Sequence, residues 1–69
     1  MAENKNEIVQ DLCRLLQKTR YGDDITGMEY SEERYGEYVY VTYNNNCQRK
    51  VDISGDSGIA IIKDILKNI

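Results

Sequence analysis

The sequence predicts an α+β fold of order α-β-β-β-α, a three-stranded antiparallel sheet with both helices packed on one face. Three observations lead there. Apolar residues recur at helical spacing over 4–20 and again over 58–69, the stretch between alternates with period two, and the joints between the alternating runs are short and polar. Short joints make an antiparallel meander, and two amphipathic helices bury their stripes by covering one side of it. A chain of 69 residues is one domain, 1–69.

The first helix, 4–20, starts on a capping-box pattern, Asn4 followed by Glu7. Ile8, Leu12, Leu15 and Leu16 form its stripe, with Val9 and Cys13 widening it. Arg14, Lys18 and Arg20 suit the negative end of the helix dipole, and Gly22 is the expected stop. A weaker strand follows over 25–31, where Met28 and Tyr30 alternate with Glu29 and Gly27 marks a bulge or a close backbone approach. Ser31 to Arg34 reads as a polar turn.

The clearest strand is 37–43, Glu-Tyr-Val-Tyr-Val-Thr-Tyr, rich in β-branched and aromatic residues. Val39, Val41 and Tyr43 fall on one face, and Tyr38, Tyr40 and Thr42 on the other. Asn44 to Asn46 make a turn, because Asn tolerates positive φ. The third strand, 47–53, sets Cys47, Arg49, Val51 and Ile53 against Gln48, Lys50 and Asp52. Ser54, Asp56 and Ser57 are candidate caps for the closing helix, 58–69, whose stripe is Ile59, Ile62, Leu66 and Ile69 with Ile61 and Ile65 beside it. In this arrangement Val39, Val41, Val51 and Ile53 face the helices. Tyr38 and Tyr40 face away, beside Tyr30 or Met28 of the first strand.

Composition narrows the function by exclusion. No histidine is present, which removes the commonest catalytic base and the commonest zinc ligand. No apolar run approaches the roughly 20 residues needed to span a bilayer, and Met1 to Glu7 does not read as a signal peptide, so the expected location is cytoplasmic. Cys13 and Cys47 fit no C-x-x-C pattern and read as free thiols. Gly55-Asp56-Ser57-Gly58 matches a serine-protease signature, but the base that chemistry needs is missing, so the segment reads as a strand-to-helix turn. Asp56 would repel a phosphate at that turn. The pairs Asp23-Asp24 and Glu32-Glu33 lack both a pocket for acid–base work and the alternating spacing of a calcium loop. The expectation is a non-enzyme with no catalytic residue, no cofactor and no metal.

Charge and aromatic usage point to a partner. Between Asp23 and Glu37 stand six carboxylates and the single base Arg34, a local net of −5 within a chain of net charge −3. That asymmetry argues against direct nucleic-acid binding, which needs a basic footprint, and permits docking on a basic protein groove as well as a solvated hairpin kept soluble by its charge. The element order is shared with double-stranded-RNA-binding domains, but those grip phosphates with lysines at the start of the last helix, where this chain has no base before Lys63. Six tyrosines with no Phe or Trp form a skewed aromatic set, and Tyr concentrates at recognition surfaces. So small a core is marginal on its own, and a partner chain, as a homodimer or a client complex, is the expected extra source of stability.

The runs Tyr38–Asn44, Gln48–Ile53 and Gly55–Leu66 resemble small uncharacterised phage and prophage proteins of Gram-positive bacteria. In size, element order and acidic middle the chain is also similar to some anti-CRISPR proteins, which block Cas nucleases by occupying DNA-binding grooves. These resemblances imply a phage-encoded inhibitor, a partial nucleic-acid mimic acting in the host cytoplasm on a basic nucleic-acid-binding groove. The expected partner-binding residues are Glu29, Tyr30, Glu32, Glu33, Glu37, Tyr38 and Tyr40. Two alternatives are a homodimeric structural or regulatory protein whose bare sheet pairs with its own copy, and an RNA-binding αβββα domain.

Overall fold

The structure, a computed structural model, describes residues 4–69; Met1 to Glu3, part of the segment examined for a signal peptide, lie outside the described residues. The elements are α1 (Lys5–Gln17), β1 (Ile25–Glu33), β2 (Gly36–Tyr43), β3 (Gln48–Asp52) and α2 (Ile59–Asn68). The sheet is antiparallel throughout in the order β1-β2-β3, so the chain is α+β in the α-β-β-β-α order.

Asn4 caps α1, its Oδ1 accepting the Glu7 N–H at 3.0 Å. The helix stops at Gln17, short of the expected 20, because Thr19 turns back on it: its N–H and its hydroxyl both donate to the Leu16 carbonyl, at 2.9 and 2.8 Å. Gly22 is not a left-handed cap, since the glycines with positive φ are Gly55 and Gly58. Instead it lies against the end of α1, where a Cβ would stand 2.6 Å from the Leu16 carbonyl oxygen.

β1 carries the bulge expected near Gly27. Ile25 pairs with Tyr43 and Gly27 with Thr42, so Thr26 is the extra residue, and Ile25 and Met28 are both buried although three positions apart. Gly27 itself faces open space, so close backbone approach is not its role. The turn expected over Ser31–Arg34 is corrected: β1 continues to Glu33, which pairs with Gly36 across the two-residue turn Arg34-Tyr35. At the other turn Asn46 takes φ 67°, and Asn45 Oδ1 accepts the Cys47 N–H. The cap of α2 is also corrected. Gly58, at φ 54°, begins the helix without a side-chain cap, while Ser54 accepts the Glu37 N–H and Asp52 accepts the Ser54 N–H, both at 2.9 Å.

One buried cluster joins Val9, Leu12, Cys13 and Leu16 of α1, Ile61 and Ile65 of α2, and the sheet residues Ile25, Met28, Val39, Val41, Val51 and Ile53. Met28, Val39, Val41 and Val51 are cross-strand neighbours, so a single sheet face supplies the floor of this cluster. α1 also closes the outer edge of β1: the side-chain amides of Gln10 and Gln17 donate to the carbonyls of Met28 and Ile25, at 2.7 and 3.0 Å. Both helices are rotated from the expected stripes. α2 buries Ile61 and Ile65 and leaves Ile59, Leu66 and Ile69 exposed, and α1 leaves Leu15 exposed. Among the described residues no helix is long and apolar enough to cross a membrane.

Candidate functional site

Strand register fixes what stands on the sheet face opposite the core. Tyr40 sits between Glu29 and Lys50, and Tyr38 between Ser31 and Asp52, while Glu33 closes the hairpin end two residues beyond Ser31. Period-two alternation puts all of these on the side away from Val39 and Val41. Both tyrosines are half-buried by their neighbours on this surface and neither belongs to the core.

The face is wired together. Tyr40 donates its phenol proton to Glu33 Oε2, and Ser31 Oγ donates to the same oxygen at 3.2 Å. Lys50 Nζ stands 3.7 Å from Glu33 Oε1 and lies over the rings of Tyr38 and Tyr40, at 4.0 and 5.8 Å from their centroids. The Tyr40 bond, helped by Lys50, holds the Glu33 carboxyl below its ordinary value, and the same bond raises the Tyr40 phenol. Glu29 is exposed and makes no ion pair among the described residues.

Three expected site residues lie on the other side. Tyr30 pairs with Val39 and packs against the core, and Met28 is buried, so neither accompanies Tyr38 and Tyr40. The parity of β1 dictates this: Met28 and Tyr30 must share the face of Ile25 once Thr26 is bulged out. Glu32 pairs with Glu37 on that same helix-facing side, with Glu32 exposed.

Glu37 is a structural group. Lys5 Nζ reaches both its carboxylate oxygens at 2.9 and 2.8 Å, Tyr30 donates its phenol proton at 2.6 Å, and the Gly55 N–H approaches at 3.4 Å. The Lys5 and Tyr30 bonds lower Glu37 to about 2, and the Glu37 bond raises Tyr30 to about 12. This ties the start of α1 to the β1-β2 hairpin. A depression of about 410 Å³ lies beside it, lined by Asn4, Lys5, Asn6, Tyr30, Glu32 and Glu37.

Of the expected residues, then, Glu29, Glu33, Tyr38 and Tyr40 come together, and Tyr30, Glu32 and Glu37 do not join them. Lys50 and Ser31 belong to the same face and were not singled out. Lys50 was findable, because Gln48, Lys50 and Asp52 alternate with Val51 and so fall on the side of Tyr40. Both cysteines are free thiols, Cys13 buried and raised by that burial, Cys47 exposed. Among the described residues no group of three or more His, Cys, Asp or Glu is placed to hold a metal ion. Comparison with protein-family models, with curated proteins and with solved structures gave no match.

Proposed function

We propose that the chain is a non-catalytic protein-binding module, a phage-encoded inhibitor that lays its open sheet face on a basic nucleic-acid-binding groove of a host defence protein. The observation that carries this reading is the juxtaposition of Tyr38 and Tyr40 with Glu29 and Glu33 on the sheet side opposite the helices and core. Tyrosine gives large contact area at low entropy cost, and carboxylates replace the phosphates that a basic groove normally holds. On the open face Glu29 and Glu33 stand four residues apart along the edge strand β1, so two carboxylates about 13 Å apart border the tyrosine pair. Glu32 stands exposed on the opposite, helix-facing side of the hairpin end and Glu37 is spent on Lys5, so neither belongs to the docking face. Base stacking on Tyr38 would have to displace Lys50 from its ring while Glu29 and Glu33 repel the phosphate backbone, and that repulsion favours a protein partner over RNA.

The test is capture from a bacterial lysate carrying phage-defence systems, using the wild-type chain and the charge-reversed variant Glu29→Lys with Glu33→Lys. The reading expects retained proteins that bind nucleic acid, are released by added duplex oligonucleotide or by salt, and are lost with the variant. Retention that survives both the oligonucleotide and the charge reversal would refute it.

A further inference from the structure

The open sheet leaves unexplained a second exposed surface, on the helices. Leu15 is 60% exposed, Ile59 63%, Leu66 48% and Ile69 37%, and each belongs to a helical stripe that sequence periodicity assigns to a core. Scattered exposed apolar residues are ordinary, but here Leu15 shares a groove with Ile62, and Ile62 shares its helical stripe with the other three. Ile8, Leu12 and Leu15 of α1 and Ile62 of α2 line one groove of about 310 Å³ between the helices, with Asp11 on its rim. Ile59, Leu66 and Ile69 continue from Ile62 along the same side of α2, at about 3.6 residues per turn.

We propose that this groove is the interface of a two-fold dimer, and that its occupant is a second copy of the chain. Two features identify the occupant. The first is spacing: Ile59, Ile62, Leu66 and Ile69 are separated by three, four and three residues, the a/d rhythm of a helix that packs on another helix. α2 uses its adjacent stripe, Ile61 and Ile65, for its own core, so the a/d stripe remains for another chain. The second is charge. Helical rotation puts Lys63 about 100° from Ile62, on the flank of the α2 stripe past Ile59, and Asp11 on the flank of the α1 stripe past Leu15, at the rim of the groove. A two-fold axis running along the groove exchanges these flanks. It lays α2 of each copy over α1 of the other and sets Lys63 against Asp11 twice, which is the self-complementarity an isologous interface requires. Arg14 already engages Oδ1 of Asp11, and the second carboxylate oxygen takes the lysine of the second copy. In this arrangement Leu66 of one copy enters the groove of the other. The tyrosine faces point outward at both ends, so the dimer presents two copies of the docking surface.

Sedimentation equilibrium of the full chain from low to high micromolar concentration tests this, with circular dichroism on every variant. Wild type is expected to dimerise. Leu66→Asp, at an exposed position outside the core, is expected to raise the dimer dissociation constant by about a hundredfold or more while leaving the fold intact. Asp11→Lys and Lys63→Asp are each expected to weaken the dimer, and the double variant to restore it. If Leu66→Asp unfolds the chain, the charge-swap set alone decides. A wild-type chain that stays monomeric throughout would overturn the proposal. So would a dimer indifferent to Leu66→Asp and to the charge swap, or one lost instead with Tyr38→Ala and Tyr40→Ala.

Discussion

Gly22 distinguishes two physical roles for a glycine after a helix, and substitution separates them. If it were a left-handed cap, Ala would suffer from positive φ and Asn would restore much of the loss. The structure gives it a different task. Its backbone is not in the left-handed region, and a Cβ would lie 2.6, 2.7 and 2.8 Å from Leu16 O, Cβ and C. None of those atoms is the free end of a flexible side chain. The Leu16 carbonyl is held by Thr19, and Leu16 is part of the core, so relief requires moving the end of α1. Overpacking of this kind costs about 1–3 kcal/mol. At roughly 4–8 °C per kcal/mol for a domain of this size, Gly22→Ala is expected to lower the thermal midpoint by roughly 4–24 °C. Gly27 supplies the control, because nothing stands within 4 Å of its Cβ position and its φ is ordinary. Gly27→Ala is expected to raise stability by about 0.4–1 kcal/mol through the unfolded chain. Melts followed by far-ultraviolet circular dichroism, paired with urea titrations, measure all three variants. A Gly22→Ala midpoint matching wild type, or a Gly22→Asn variant clearly more stable than Gly22→Ala, would show the close-packing argument to be wrong.

Glu37 is depressed to about 2 from an ordinary 4.5, so the stability it contributes is complete above 4.5 and drains as pH falls toward 2. Asp56, raised by the bond it shares with Asp64, works in the opposite direction; comparing urea midpoints of wild type and Glu37→Gln across this range isolates Glu37, and parallel curves would refute the assignment. Tyr30 is raised to about 12 from 10, so its contribution is complete below 10 and lost as pH rises through that interval; ultraviolet titration is expected to show late phenols, of which Tyr30→Phe removes the one near 12 and leaves that of Tyr40. Tyr40→Phe takes away the main cause of the low Glu33 value, so carboxyl NMR is expected to show Glu33 rising toward its ordinary value while Glu37 stays near 2. Gln10→Ala strips the Met28 carbonyl of its donor at the edge of β1 and is expected to cost about 0.5–1.5 kcal/mol in urea unfolding, with a null effect counting against edge closure by α1.

The element order was legible because both helices and the 37–43 strand carry strong local signals and short polar joints set off the weaker strands between them. The 37–43 alternation fixes its own two faces, and the Asn4 cap formed as its sequence pattern implies. Rotation of the helices was not legible. On α2, Ile59, Ile61, Ile62, Ile65, Leu66 and Ile69 spread over nearly half of the circumference, wider than one buried stripe, so periodicity alone cannot choose between adjacent stripes, and tertiary packing chose Ile61 and Ile65. The composition of the open face was half legible. Tyr38 and Tyr40 followed from parity within one strand, whereas placing Tyr30, Glu32 and Glu37 needed the parity of β1 after its bulge and the register between strands. Glu37 shows the limit most directly. Its charge made it look like part of an acidic recognition surface, and only its distance from Lys5, 32 residues away in sequence, reveals a strut.

The wiring of the open face also bears on how it would meet a partner. A side chain ordered before binding loses less entropy on binding, so the bonds from Tyr40 and Ser31 that hold Glu33 favour tight docking. The same wiring sets a cost, because Lys50 occupies the ring face and the carboxylate that an incoming cation would seek. Arginine is suited to displace it. A guanidinium stacks on a phenol ring more favourably than an ammonium and grips a carboxylate with two parallel bonds, which a lysine cannot do. In the docking proposed above, Glu29, across the strand from Tyr40 and outside the Lys50 network, would give the first foothold before that exchange. A face built this way discriminates by what it must give up: a lysine-rich partner gains little by replacing one ammonium with another, and an arginine-lined groove gains both the stack and the paired bonds.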